Sequence, residues 1–279
     1  MPELPEVETV RRGLEKHLIG RKIQRATQLH PRALNPRSQA PLDAIAGAKI
    51  LEIRRRGKFL WFVLDREYAL VAHLGMSGQF LINPDESKHT RALLTVSRGL
   101  RKDQLHFNDQ RTFGWVSVEE LHNGIPTSAT AIAPDPFESK YDQGKVVAEI
   151  NRRNVKIKTA ILNQNIVSGI GNIYADESLW LAKIHPESLA SVLTKSEIKR
   201  VLDCATEVMR KAIVVGGTSF DDLYINVNGE SGYFDISLNA YGQEDEPCPR
   251  CGRAIKRIAF ANRSSHFCPR CQRVKSSTR

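Results

Sequence analysis

The chain has 279 residues, more than one average domain requires and enough for two, and 41% hydrophobic with 26% charged residues describes a protein able to bury a sizeable core. Lys and Arg number 41 against 31 Asp and Glu, so the formal charge is +10 and the pI is near 9.5, a balance that favours a polyanionic partner. No apolar run reaches the roughly 18 residues that span a bilayer, and the opening MPELPEVETV carries acids where a secretory signal carries bases, so neither a membrane protein nor a secreted one is expected.

In chain order, residues 3–18 place Leu4, Val7, Val10, Leu14 and Leu18 at helical spacing, and Gly20 stops the pattern. Glu3, Glu6 and Glu8 enrich its first turn in acid, which the positive end of the helix dipole explains for Glu8. Short apolar runs at 50–53, 59–64, 69–74, 79–82, 92–96 and 115–118, separated by Gly, Asn, Asp and Pro, predict strands of a β-sandwich or barrel. At Ala133-Pro134-Asp135-Pro136 the pattern changes, and a domain boundary is expected there. Helices are predicted over 145–151, 155–165, 173–181 and 195–215, with Gly169-Ile170-Gly171 interrupting two of them. Cys204, inside the periodic stretch 201–208, reads as a buried helical thiol. The expected fold is α+β in three parts: 1–133 with the strands and the leading helix, 134–240 helical, and 241–279 built on cysteines.

The cysteines carry the clearest spacing. Cys248-Pro-Arg-Cys251, sixteen residues, then Cys268-Pro-Arg-Cys271 lets four thiolates converge on one tetrahedral zinc ion. With every position filled by protein, the metal is expected to fold a small hairpin and perform no chemistry. Residues 247–279 hold nine Lys or Arg and no acid, so Arg263 between the knuckles, with Lys256 and Arg257, suits phosphates or a minor groove.

At the other end, the small residue after Met1 favours removal of the initiator, which leaves Pro2 with a free secondary amine. An α-amino group titrates near pH 8, about two units below lysine, so an uncharged nucleophilic fraction exists at neutral pH and a Schiff base is within its chemistry. If that amine attacks a sugar carbon, the adjacent Glu3 carboxylic acid can protonate the opened ring oxygen or relay protons, and Lys58, in the turn Arg56-Gly57-Lys58 before a predicted strand, is a second candidate acid or a phosphate contact.

Together, Pro2-Glu3-Leu4-Pro5-Glu6-Val7-Glu8-Thr9, Arg56-Gly57-Lys58, His73-Leu74-Gly75-Met76-Ser77-Gly78, Gly169-Ile170-Gly171-Asn172-Ile173-Tyr174 and the four cysteines resemble the formamidopyrimidine-DNA glycosylases from end to end. The resemblance implies an N-terminal β-sandwich preceded by a helix, then a helix-two-turns-helix domain and a zinc-bound β-hairpin. It implies base-excision repair of oxidised purines in duplex DNA by glycosylase and AP lyase activities, in a cytoplasmic, nucleoid-associated monomer. Pro2 is then the Schiff-base nucleophile, Glu3 the proton donor to the sugar, Lys58 the acid of β-elimination, and Arg263 an aid to δ-elimination that also binds DNA. Asn172 is implied to hold phosphates, and His89, Arg111, Arg153 and Lys158 fall at further DNA contacts. Met76, Arg111 and Phe113 resemble the trio that fills the gap left by an extruded base. Three positions depart from the family pattern. Asn163 stands where Asp is usual, Asn262 replaces the common Gly before Arg263, where an Asn can still occupy a left-handed turn, and Asp221 stands where Arg is common, which leaves the preference among lesions open. Two other readings compete: an endonuclease VIII-like enzyme for oxidised pyrimidines, which Leu4 disfavours, and a non-catalytic zinc-finger DNA-binding protein, which leaves Pro2, Glu3 and Lys58 without a reason.

Overall fold

The structure is a computed structural model that describes residues 2–216 and 238–275; Met1 and Asp221 lie outside the described residues. Contacts divide the chain into two compact units, with one break between Ala131 and Ile132 and a return to the first unit after Val214.

The first unit opens with α1, Leu4–Leu18, whose five periodic apolar residues are all at most 3% exposed. Pro5 sits in the first turn, where its missing N–H leaves no bond unmade, and Glu6 accepts the Glu3 amide at 2.8 Å as half of a capping box. Nine strands follow among the described residues: β1 Lys22–Gln28, β2 Ile50–Arg56, β3 Phe59–Leu64, β4 Tyr68–His73, β5 Gly78–Ile82, β6 Thr90–Arg98, β7 Arg101–Asp109, β8 Trp115–His122 and the short β9 Ile125–Pro126. They form two antiparallel sheets, β1-β6-β7-β5 and β2-β3-β4-β8-β9. Phe62 of the second sheet packs edge-on to Phe80 of the first at 5.7 Å, and Phe80 continues to Phe107 at 5.1 Å, so the core lies between two faces and the architecture is a sandwich.

Three strands had no apolar signature, the two-residue β9 among them. In β1 a register shift between Ile23 and Arg25 breaks the alternation, and in β7 the inward position 103 is an aspartate, buried against the Arg21 guanidinium and Asn83. Glu8 is also more than a dipole partner. Its carboxylate takes Arg11 at 3.0 Å, Arg12 at 2.8 Å and Arg55 of β2 at 3.1 Å. Burial alone would raise its pKa, but the Arg11 hydrogen bonds with the Arg55 and Arg12 interactions outweigh it and hold the group at about 2. A depressed carboxylate stabilises the fold above its unfolded pKa, near 4.5, and that contribution is lost as pH falls toward 2. Thermal melts of Glu8→Gln are therefore expected to lie below those of the parent at pH 6 and to converge with them as pH drops through this window.

The second unit holds α2 Gln143–Asn151, α3 Ile157–Ile161, α4 Asn172–Ala182, α5 Lys195–Val215 and the hairpin strands β10 Lys256–Phe260 and β11 Arg263–Phe267. The α5 bounds match the predicted 195–215, with Ile198, Val201, Leu202, Ala205, Met209 and Ala212 buried along one stripe. Cys204 lies off that stripe and is half-buried, a correction to the buried thiol expected of it. The α3 helix stops at Ile161, short of the predicted 165, because the Gln164 side chain takes over the next backbone groups: it donates to the carbonyls of Leu162 and Ile170, both at 2.9 Å, and accepts the Gly169 amide at 2.8 Å. No helix among the described residues is long and apolar enough to cross a membrane.

Candidate active site

Pro2 and Glu3 are both buried at the head of α1. That helix is fastened to β2 by Arg11, which donates to the Ile53 carbonyl at 3.1 Å, and by the Glu8–Arg55 pair. Arg55 also donates to the Gly57 carbonyl at 3.0 Å. Gly57, at φ +54°, makes the two-residue turn that pairs Arg56 with Phe59 and presents Lys58, itself 9% exposed. One run of ion pairs on Glu8, continued by the hydrogen bond from Arg55 to the Gly57 carbonyl, therefore ties α1, which carries Pro2 and Glu3 at its head, to the turn that carries Lys58. His73 was not singled out from sequence. It stacks on Trp115 and meets Phe59 edge-on at 5.1 Å; burial first, and then the Lys58 charge, lower its pKa to about 4. Its imidazole is thus neutral at pH 7, and Nδ1 accepts the Gly75 amide at 3.1 Å, shaping the turn that bears Met76.

Met76 and Phe113 are two of the few large apolar side chains left exposed, at 37% and 57%, and Arg111 is exposed between them in sequence. Their loops touch backbone to backbone: a Cβ added at Gly75, φ +60°, would lie 2.5 Å from the Phe113 carbonyl carbon, and one at Gly114 would lie 2.9 Å from the Leu74 carbonyl oxygen. Two apolar tips and a guanidinium on touching loops suit a wedge for a gap in stacked bases. His89 is half-buried, and its Nδ1 has no hydrogen-bond partner among the described residues.

In the second unit, Asn172 opens α4 directly after Gly171, and its Oδ1 is likewise buried without a partner. The Gln164 bonds to the 169–170 segment hold this approach to the start of α4 in place, and the positive end of a helix suits an anion. Arg153 is half-buried and engaged by Glu149 at 2.5 and 2.9 Å. Lys158 corrects the expectation of a DNA contact. Its side chain is 0% exposed, its ammonium lies 2.6 Å from Asp176 Oδ1 and donates to the Ser264 carbonyl at 2.9 Å. Asp176 also accepts from Ser265 Oγ at 2.8 Å and the His266 amide at 2.9 Å, so this network buttons the hairpin to α3 and α4. Lys158→Met leaves Asp176 buried without its cation and is expected to destabilise the fold by about 3–5 kcal/mol. The dependence of duplex affinity on salt should stay unchanged in that variant, because no phosphate contact is removed; calorimetry and a salt titration check both.

Arg263 is exposed at the start of β11, one residue beyond the two-residue hairpin turn. The left-handed residue in that turn is Ala261, φ +51°. Asn163 is half-buried and accepts the Asn165 amide at 3.0 Å, a bond that an aspartate makes equally well. Glu177, next to Asp176 and also missed, accepts the amides of Asn239, Ala240 and Tyr241 at 2.8–3.1 Å.

The sulfurs of Cys248, Cys251, Cys268 and Cys271 all lie within 4.8 Å of one another. A tetrahedron with Zn–S bonds of about 2.3 Å has edges of about 3.8 Å, so the donor set fits one structural zinc. Trp180 of α4 donates its indole N–H to Cys248 Sγ at 3.4 Å, and the Arg250 guanidinium lies 4.0 Å from the Trp180 ring centroid.

Family models match all three parts: the formamidopyrimidine-DNA glycosylase N-terminal domain over residues 1–116, the formamidopyrimidine-DNA glycosylase H2TH domain over 132–223, and the zinc finger found in FPG and IleRS over 245–274. The chain belongs to the formamidopyrimidine-DNA glycosylase family. Among members of that family, it is 52% identical to the enzyme of Rhodococcus opacus over 98% of both chains, and 50% identical to that of Rhodococcus jostii over 98% of this chain and 96% of the relative. Its fold is similar to that of MutM (Fpg) from Thermus thermophilus, with a TM-score of 0.85 and 34% identity over 99% of this chain and 100% of the other. It is also similar to Lactococcus lactis Fpg in complex with abasic-site DNA, with a TM-score of 0.83 and 35% identity over 98% and 100%.

Proposed function

We propose that this chain excises oxidised purines from duplex DNA and then cuts the strand at the resulting abasic sugar. The observation that carries this reading is the Pro2-Glu3 pair at the head of α1, tied through Glu8 and Arg55 to the turn bearing Lys58. Relatives of about half-identical sequence are named for this activity, and a Lactococcus lactis Fpg variant similar in fold is bound to Fapy-dG DNA.

A base inside a stacked duplex shields its C1′, so extrusion comes first. Met76, Arg111 and Phe113 fill the gap; His89, Asn172 and Arg153 contact DNA, and the basic hairpin carries Arg263 to the phosphates. With Met1 removed, the Pro2 nitrogen attacks C1′, the bond from C1′ to the base breaks, and the base leaves with a proton. Glu3 protonates the ring oxygen as the sugar opens to an iminium, since the secondary amine of Pro2 leaves no proton to lose from the C=N nitrogen. The iminium acidifies the C2′ proton; its loss expels the 3′ phosphate with Lys58 assisting, and a second elimination aided by Arg263 expels the 5′ phosphate. The zinc supplies only the fold of the hairpin. The three-part division at 133 and 240 belongs to the same proposal.

A nicking assay on a duplex with one 8-oxoguanine tests the reading: both strand ends should carry phosphate. Faster cutting at an oxidised pyrimidine would favour the endonuclease VIII-like alternative, and binding without cutting would favour a DNA-binding protein.

A further inference from the structure

Asp109, at the end of β7, is 1% exposed and has no role in the chemistry above. Its carboxylate holds both loops of the wedge. Oδ1 accepts from Ser77 Oγ at 2.5 Å and from the Arg111 amide at 3.2 Å, and Oδ2 accepts from the Gly114 amide at 2.6 Å. Ser77, one residue after Met76, accepts the Arg111 amide in turn at 3.1 Å. The Asp109 backbone seats a third element, since its amide donates to the His89 carbonyl at 2.9 Å and its carbonyl accepts Arg91 Nε at 2.8 Å.

The loop so held contains Thr112 at φ +56°, a conformation that a β-branched residue adopts only when its surroundings force it. Neutral N–H and O–H donors meeting a buried carboxylate make strong, directional bonds, and here they converge from the Met76 turn and the Arg111–Gly114 loop on one side chain. A wedge entering a base stack must already be ordered, because ordering it during insertion subtracts from the binding energy available to unstack the duplex.

We infer that Asp109, with Ser77, is the positioning residue that pre-forms the Met76, Arg111 and Phe113 wedge, so that it governs base extrusion and not the bond-breaking steps. This inference rests on reading those three side chains as the gap-filling trio. An amide at 109 keeps the shape but turns one acceptor into a donor facing another N–H; alanine at 77 removes the bridging hydroxyl.

The test compares two substrates under single turnover: a duplex containing 8-oxoguanine, which requires extrusion, and a single-stranded abasic oligonucleotide, which requires none. Asp109→Asn and Ser77→Ala are expected to slow the first at least tenfold more than the second, with Kd for the duplex changed less than threefold. Ser77→Thr should recover most of the rate. In the same variants, a 2-aminopurine opposite the lesion should show at least a twofold smaller fluorescence change on binding. Equal slowing on both substrates, or no slowing of either, overturns the inference, and Ser77→Ala decides if Asp109→Asn fails to fold. Met76→Ala and Phe113→Ala run alongside: if they leave duplex excision at the parent rate, the wedge reading itself fails. If they slow it while Asp109→Asn and Ser77→Ala do not, only the positioning role fails.

Discussion

A form of the chain that keeps Met1 loses borohydride trapping to damaged duplex by at least about 100-fold while its duplex affinity stays within a small factor of the processed form. The reason is chemical before it is steric. With Met1 in place the Pro2 nitrogen belongs to a peptide bond, its lone pair is delocalised into the carbonyl, and it cannot attack C1′. The new terminal amine sits about one residue, roughly 3.5 Å, from the required position, and displacement of a reacting group by even about 1 Å costs on the order of 10²-fold. The buried seat of Pro2 and Glu3 at a capped helix head fixed by Glu8, Arg11 and Arg55 gives the chain no slack with which to correct it. Trapping yield on an abasic duplex, beside fluorescence anisotropy at matched salt, checks both halves of the prediction.

Removal of the zinc is the second large effect. Structural zinc sites bind with roughly 10–16 kcal/mol at neutral pH, energy that appears directly as folding of the segment. Cys268→Ser leaves three thiolates and should release the metal, freeing β10 and β11 from each other and undoing the bonds of Ser265 and His266 to Asp176 and of Trp180 to Cys248. Arg263 and the neighbouring basic residues then lose their fixed position, and a loss of two or three ordered phosphate contacts corresponds to about a 100-fold weaker duplex complex near 0.1 M salt. Metal analysis should fall from one zinc per chain to none, and the log–log salt slope should become shallower. Unchanged affinity in the metal-free variant would remove the hairpin from the DNA interface.

What the sequence discloses follows from what each residue type reveals without its neighbours. Helix α1 was legible because five apolar residues keep one period and all are buried, and α5 for the same reason. Four cysteines at fixed intervals carry their geometry with them. Strand β7 was hidden because Asp103 occupies an inward position where alternation leads one to look for an apolar residue, and its partner Arg21 lies 82 residues away. The same limit concealed Asp109, Asp176 and Glu177: an acid that organises a loop from inside reads in sequence like an acid on the surface. Lys158 shows the converse, since a lysine in a basic chain reads as a phosphate contact and only the fold shows its ammonium enclosed by Asp176 and Ser264.

The most direct measurement is peptide mapping by mass spectrometry of the borohydride-reduced adduct between the processed chain and an abasic oligonucleotide. The added sugar mass is expected on the N-terminal nitrogen of Pro2. Attachment at Lys58 or any other side chain, or an active enzyme that yields no adduct, would contradict it.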